Sequence, residues 1–577
     1  MDFTRQQSPQ STSFMHSSLQ HSIRGSPQLS PSDQRVNSFH PMGKVEDSLT
    51  EWFEQLIEIR RLKAAMYHAI ISIVLYILCA CVLQFSLFHP VRTIFDIVAL
   101  FTSSRIILFI ICYALMNTIS TYVIGRFLLR FDREKRISKS DWRVWCIFAV
   151  FLLVDNIKGF LLFRGSGVKL VEGFLIEYFS APSFVVRVPI FVATFLNVFE
   201  CDYRLQFPAL EFGALHQIQT ALRLGNEAVL ARLMPIMKWT AVFTLFCGLP
   251  LYGLALLMVL FSAKLLISIM VLVYSQAFLH YLSLKSLKAC VLQHYSFALP
   301  PPHVIVEPTP EELRTLPNAL ESSCINLKAF AFWDLRKLSA SNYQRRMVLF
   351  SLSQPGGHPR NWNAVSVACM KVLERIKRIV DEENARIRLE NFVSLNRISN
   401  GTVSKIGGPT MLLPNRLRRD QDLCRRILKD QPVDNTTMAT SNDTSGATLW
   451  HRIKLRLAKE RRIITAIDET LAMLSIESLC MLIWHSYEED RYGVVQKDLS
   501  AIISLMLQLV VSFDRYIRNI KPAREEQQSP GESVYYLLNN ALCSALSRIV
   551  AKFRESLKAI QLSAEELALL GTVTQTT

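Results

Sequence analysis

Asp155 and Lys158 lie inside an otherwise apolar run, VWCIFAVFLLVDNIKGFLLF, at residues 144–163. An ionisable side chain at such a place is a candidate for an ion or proton pathway. These two sit three residues apart on one helix face, so they can also pair with each other, and a structural pair is the preferred reading. His358, in the turn-forming stretch SQPGGHP at residues 353–359, could act as a base. Gly and Pro in that stretch favour a structural turn instead. The 12 cysteines include no C-x-x-C pair, which argues against a zinc site or a disulfide framework. No H-E-x-x-H, phosphate-binding glycine loop or G-x-S-x-G occurs. No catalytic residue, metal, cofactor or small-molecule substrate is expected, and the chain reads as a non-enzyme.

The elements that must position these residues are long and greasy. Half of the 577 residues are hydrophobic and 19% are charged, with a mean hydropathy of +0.23. The charged share is below the usual quarter, and the apolar residues concentrate in the first half. A bilayer core about 30 Å thick requires roughly 20 apolar residues in a helix. Residues 64–88 and 106–124 meet this without any Asp, Glu, Lys or Arg. Residues 144–163 are weakened by Asp155 and Lys158, and 184–199 by shortness, Arg187 and Pro189. Residues 239–261 and 265–284 complete six expected spans, the last two forming a tight hairpin. The first span follows a long polar tail, which does not fit a cleavable signal peptide.

Lys and Arg alternate across the loops. Arg60, Arg61 and Lys63 precede the first span; seven basic residues between Arg126 and Arg143 fill the second loop. Arg204, Arg223, Arg232 and Lys238 fall in the fourth loop, and Lys285 and Lys288 follow the sixth span. The other loops are poorer in basic residues. The positive-inside rule then places both termini in the cytoplasm. Removing the weak fourth span would break the alternation. The sequons at Asn400, Asn435 and Asn442 should on this topology carry no glycan.

Residues 1–45 are rich in Ser, Pro and Gln and poor in bulky apolar groups, so they are expected to be disordered. Ser8, Ser26 and Ser30 each precede proline and are candidate sites for proline-directed phosphorylation. Ser48-Leu-Thr-Glu51 matches a capping box. The Trp52–Phe53 segment after it reads as an interfacial helix or, preferably, as a cytosolic extension of the first span. The region after Lys288 carries helical apolar spacing at 365–379, 463–484 and 534–560. Residues 499–511 form an apolar run too short to cross a bilayer and suited to a buried core helix. Residues 400–448 read as a flexible insert. The fold class is therefore all-α: six transmembrane helices (residues 46–288) followed by a mainly helical cytoplasmic domain (289–577).

The net charge is +16, part of which is the orientation signal. From Lys285 onward 39 Lys and Arg still face 30 Asp and Glu. Arg452, Lys454, Arg456, Lys459, Arg461 and Arg462 make a basic amphipathic stretch that could rest on anionic headgroups. A solvated helix face is the preferred reading. No interleaved basic-aromatic motif for nucleic acid is present.

One segment is more specific. Residues 332–376 contain Asp334-Leu335, Arg345-Arg346, Leu349-Phe350, the run ending Pro355-Gly356-Gly357-His358-Pro359, and Trp362. This block resembles the start of the soluble domain in the nuclear-division-cycle (Ndc) family of transmembrane nucleoporins. Its place after six spans fits that family too. The resemblance implies a membrane anchor of the nuclear pore complex, embedded in the nuclear envelope, supporting pore assembly and holding scaffold nucleoporins and the WD-repeat protein aladin. It implies no direct nucleic-acid binding. The alternative is a polytopic transporter or channel with a regulatory cytosolic domain.

Overall fold

The computed structural model describes residues 42–85, 90–131, 142–165, 181–208, 213–248, 250, 253, 263–303, 309–354, 357–402, 464–520, 532–554, 556 and 560–576. Among the described residues the chain is helical, with isolated bridges at Arg130–Arg204, Ala298–Thr315 and His303–Gln354 as its β features. The candidate phosphosites Ser8, Ser26 and Ser30, the basic stretch from Arg452 to Arg462, and Pro355 and Gly356 lie outside the described residues.

The first half comprises α1 (Met42–Gln84), α2 (Pro90–Thr102), α3 (Ser104–Val123), α4 (Trp142–Gly165), α5 (Ala181–Glu200), α6 (Ala214–Phe243) and α7 (Ala263–Val291). The second half holds α8 (Leu316–Glu321), α9 (Ile325–Ser341), α10 (Tyr343–Leu349), α11 (Arg360–Thr402), α12 (Ala466–Glu489), α13 (Val494–Ile520), α14 (Glu532–Phe553) and α15 (Ala564–Thr576).

Helix α1 shows how the sequence divides its faces. Leu49, Phe53, Ile57, Ala64, His68, Ser72, Tyr76 and Leu83 are buried at four- and seven-residue spacing. On the opposite face Ile59, Leu62, Met66, Ile70, Val74, Leu78, Val82 and Phe85 are exposed. From Ile59 to Phe85 that apolar stripe is about 39 Å long at 1.5 Å per residue, enough to face a hydrocarbon core of about 30 Å. Ile107, Leu108, Ile111 and Leu115 continue such a surface on α3.

Among the described residues six helices are long and apolar enough to cross a membrane: Glu46–Gln84, Ser104–Leu128, Trp142–Gly165, Leu215–Gly248, Leu266–Val291 and Val494–Asn519. This set differs from the expected one in two places. Val494–Asn519 qualifies by length and composition, but it is a two-faced helix within the second half. It buries Leu499, Ile502, Ile503, Met506, Leu507, Val510 and Phe513 against α11, α12, α14 and α15. Lys497, Gln508, Arg515 and Arg518 lie on its exposed face, an arrangement suited to water. The run at 499–511 is buried as expected, but it belongs to a helix of spanning length, not to one too short to cross. The weak fourth span corresponds to α5, which carries Pro189 inside the helix and buries Val185, Val186, Ile190 and Ala193 in the bundle core.

Three boundaries move. Ser48 is not the N-cap of α1, because α1 starts six residues earlier at Met42; the Trp52–Phe53 segment lies in the same continuous helix as the first span. The helix that carries the start of the expected fifth span begins well before Trp239, since α6 is already helical from Ala214. Arg223, Arg232 and Lys238 interrupt the hydropathy without interrupting the helix, and the Arg232 guanidinium reaches Cys201 Sγ at 3.3 Å. Most of residues 249–261 lie outside the described residues. Of the flexible insert expected at 400–448, residues 400–402 are helical, since α11 runs to Thr402, and the rest lies outside the described residues.

Close packing in the bundle is concentrated at Gly165. A Cβ there would stand 1.7 Å from the Tyr76 hydroxyl and 3.1 Å from its Cζ. Tyr76 is fully buried and donates to the Leu161 carbonyl at 3.0 Å, so the ring has little room to retreat. Gly165→Ala is expected to lower the thermal stability of the detergent-solubilised protein, by about 1–3 kcal/mol for overpacking. Adding Tyr76→Phe removes the nearest clashing atom and should recover most of the loss. If the double variant is no more stable than Gly165→Ala alone, this packing is wrongly described.

Candidate anchoring junction

The block at residues 332–376 builds the joint between the two halves. Asp334 is at its centre, fully buried. Its carboxylate accepts from Arg345 Nη1 at 2.9 Å and Nη2 at 2.7 Å, a two-pronged fork that suits a guanidinium. It also accepts from the Phe297 amide at 3.0 Å and faces His294 Nε2 at 3.0 Å. Arg345 Nη2 donates to the Phe297 carbonyl at 2.6 Å. Burial pushes the Asp334 carboxyl up, but hydrogen bonds from Arg345 and His294, the Arg345 charge and the Phe297 amide outweigh it. The carboxyl is held below its ordinary value. The strand of chain leaving α7 is thereby fastened to α9.

Arg346 makes the second fork. Its Nε and Nη2 donate to Glu489 at 2.8 and 2.7 Å, tying α10 to the end of α12. Beside it, burial and the Arg346 charge hold the His485 imidazole below its ordinary value. Trp362, also fully buried, donates its indole N–H to Asp498 at 2.8 Å and joins α11 to α13. Leu335, Leu349 and Phe350 are buried in the same core. In the turn, the Ser353 amide donates to the His358 carbonyl at 2.9 Å and the Gly357 amide to the Ser353 carbonyl at 2.9 Å. Gly357 has φ +62°, a left-handed conformation that glycine adopts without a Cβ penalty. His358 is exposed, and Pro359 half-buried beside it leads into α11. His358 serves the turn through its backbone.

The membrane-side contacts of the joint come from residues that sequence reading treated as topology signals. Arg60 is buried and donates to the Val291 carbonyl at 3.1 Å and to that of Gln293. Its guanidinium lies 5.7 Å from the Phe330 ring centroid. Arg204 donates to the Ala466 carbonyl at 3.2 Å and faces Glu469 at 3.5 Å. Phe330 packs against Phe53 of α1, Phe131 after α3 and Phe207 after α5, with centroids 5.5, 5.9 and 5.5 Å apart. Trp52 packs edge-on to Tyr295 at 5.2 Å, and Arg314 covers it at 4.9 Å. One hydrophobic core runs from the ends of the bundle helices into the second half.

Within the bundle, Asp155 and Lys158 do pair, at 3.1 Å. Asp155 further accepts from Thr194 Oγ1 at 2.8 Å, and its carbonyl accepts from Gln276 Nε2 at 3.0 Å. These bonds fasten α4 to α5 and α7. A neighbouring network links His68 to the Leu279 carbonyl and to Thr121, each at 2.9 Å, and Ser283 to Thr121 at 3.0 Å. The two groups border a cavity of about 20 Å³, about the room for one water. Sequence reasoning missed this network, although polar residues at 68, 117, 121, 276 and 283 inside apolar helices were the available signal.

Comparison with known proteins agrees with this layout. Residues 228–571 match the family described as nucleoporin protein Ndc1-Nup. The match spans more than half of the chain and contains the second-half side of the joint, from Val291 to Asp498. The chain belongs to this family. A nucleoporin ndc-1 from Caenorhabditis elegans is 27% identical over 559 residues, covering 95% of this chain and 92% of that protein. A nucleoporin NDC1 from Xenopus laevis is 24% identical over 350 residues, covering 44% of this chain and 53% of that protein. The human nucleoporin NDC1 is 26% identical over 335 residues, covering 41% of this chain and 50% of that protein. As an Ndc1-Nup family member with apolar helices of spanning length, the chain is a nuclear pore membrane protein.

Proposed function

We propose that this nucleoporin anchors the scaffold of the nuclear pore complex to the pore membrane and supports pore assembly. On this reading six helices cross the nuclear envelope: α1, α3, α4, α5, α6 with its continuation, and α7. The second half is a helical domain on the cytoplasmic, pore-facing side, together with both termini. The observation that carries the reading is the continuous core between bundle and second half. An anchor must transmit load from a partner to the membrane, and a stiff helix shared by both parts does so. α1 is that helix, with its Glu46 carboxylate accepting from the Ser323 amide at 2.7 Å at one end and the apolar stripe at the other.

Scaffold nucleoporins and aladin are the partners proposed, through the outer helices of the second half; no chemistry on a small molecule is part of this function. The alternative of a transporter is less well supported. Asp155 and Lys158 are engaged with each other and with neighbouring helices, as structural pairs are. Expression of a fluorescent fusion tests the proposal. Punctate nuclear-rim staining that coincides with pores is expected; plasma-membrane or vesicular staining would rule the function out.

A further inference from the structure

We propose that α2 is not a passive link between the first two spans but an interfacial helix, seated on the acyl chains of the leaflet opposite the second half. Val91, Ile94, Phe95 and Val98 are 55–69% exposed. Their spacing of three and four residues places them on one side of the helix. Thr93, 3% exposed, and the half-buried Ile97 lie on the other side, and the helix touches both α1 and α3. So one face packs on the bundle, and among the described residues nothing covers the apolar face of four large side chains.

What covers that face follows from its position. The 13 residues of α2 reach about 20 Å at 1.5 Å per residue, short of the roughly 30 Å of a hydrocarbon core. The helix therefore does not cross. It joins the Gln84 end of α1 to the start of α3, both of which carry exposed apolar stripes up to that end. Phe85 on one side and Ile107 and Leu108 on the other are 58–62% exposed. The α2 face is continuous with the lipid-facing surface of its neighbours. The other end of α1 is packed in the second half, about 60 Å away along a helix of 43 residues. An interfacial helix of this kind sinks about 5–10 Å into the headgroup–acyl boundary. It would resist withdrawal of the bundle toward the second half, gripping the membrane from its far face. This inference rests on the bundle lying in a bilayer, and not on the nucleoporin assignment.

Site-directed spin labelling tests it, using the full chain with its native cysteines replaced and reconstituted in phosphatidylcholine vesicles. Single labels go at Val91, Ile94, Phe95 and Val98. Ile111 on α3 serves as the lipid-facing reference and Lys497 as the water-facing one. Collision with oxygen over collision with a water-soluble nickel chelate is expected to be several-fold higher on α2 than at Lys497, approaching the ratio at Ile111. Nickel access on α2 equal to that at Lys497, with Ile111 still oxygen-accessible, would overturn the proposal and leave the membrane bundle standing. Exclusion of both probes with dipolar broadening between labelled chains would overturn it in favour of a second copy on that face. Nickel access at Ile111 would overturn both the proposal and the bilayer placement.

Discussion

Asp334→Ala should unfold the joint. The carboxylate is fully buried and receives both prongs of Arg345, the Phe297 amide and His294. Its removal leaves a largely buried guanidinium without its counter-charge and a backbone amide without an acceptor. Breaking a buried ion pair from one side costs about 3–5 kcal/mol. The variant is expected to lose about that much in thermal or denaturant unfolding of the detergent-solubilised chain. His294→Ala removes one donor and should cost about 1.5 kcal/mol. Asp334→Asn is no rescue, because one oxygen becomes an amide nitrogen that donates toward Arg345.

The pH dependence has a definite sign. The folded Asp334 carboxyl lies below its ordinary value. Its contribution is present above the unfolded value of about 3.9 and is lost as pH falls toward the folded one. His485, also depressed, resists protonation in the folded state, so its contribution falls as pH drops below about 6.5. Acid should therefore weaken the domain in two stages; Glu488 and Glu566, also held below their ordinary values by hydrogen bonds, share the lower one, so Asp334→Asn should shrink it. An unchanged acid profile in that variant would show that Asp334 carries no such linkage.

Phe330→Ala strikes the other side of the joint. Phe330 is 1% exposed and touches rings from three separate parts of the membrane half. Truncating a core phenylalanine costs about 3–5 kcal/mol. The loss should be accompanied by uncoupling, because the cavity opens between the halves. Hydrogen exchange is expected to rise in residues 46–60 and 291–297 while α13 and α14 stay protected. A control at Ile325, which is 47% exposed, should change stability by no more than about 0.5 kcal/mol. Uniformly raised exchange would show that the two halves unfold as one unit.

The spans were legible because an apolar run of spanning length has few other uses. The early start of α6 was missed because hydropathy registers Arg223, Arg232 and Lys238 as a loop, while the backbone registers only continuing helical hydrogen bonds. Ser48 spelled a cap, but the residues before it already formed a turn of helix. At the joint, Asp334, the two arginines and Trp362 were legible as a block, while their partners were not. His294 and Phe297 lie 40 and 37 residues from Asp334. Glu489 lies 143 from Arg346 and Asp498 136 from Trp362. Pairings at such separations are made by the tertiary fold, and no local spacing announces them. Arg60 and Arg204 were read by charge alone, whereas their buried carbonyl contacts give them a second use.

Proximity labelling from the C-terminus of the full chain in cells tests the anchoring account most directly. It predicts that the labelled neighbours are dominated by scaffold nucleoporins of the pore, in a membrane fraction that resists carbonate extraction. Labelling dominated by proteins of the envelope lumen, or by plasma-membrane and vesicle proteins, would contradict it.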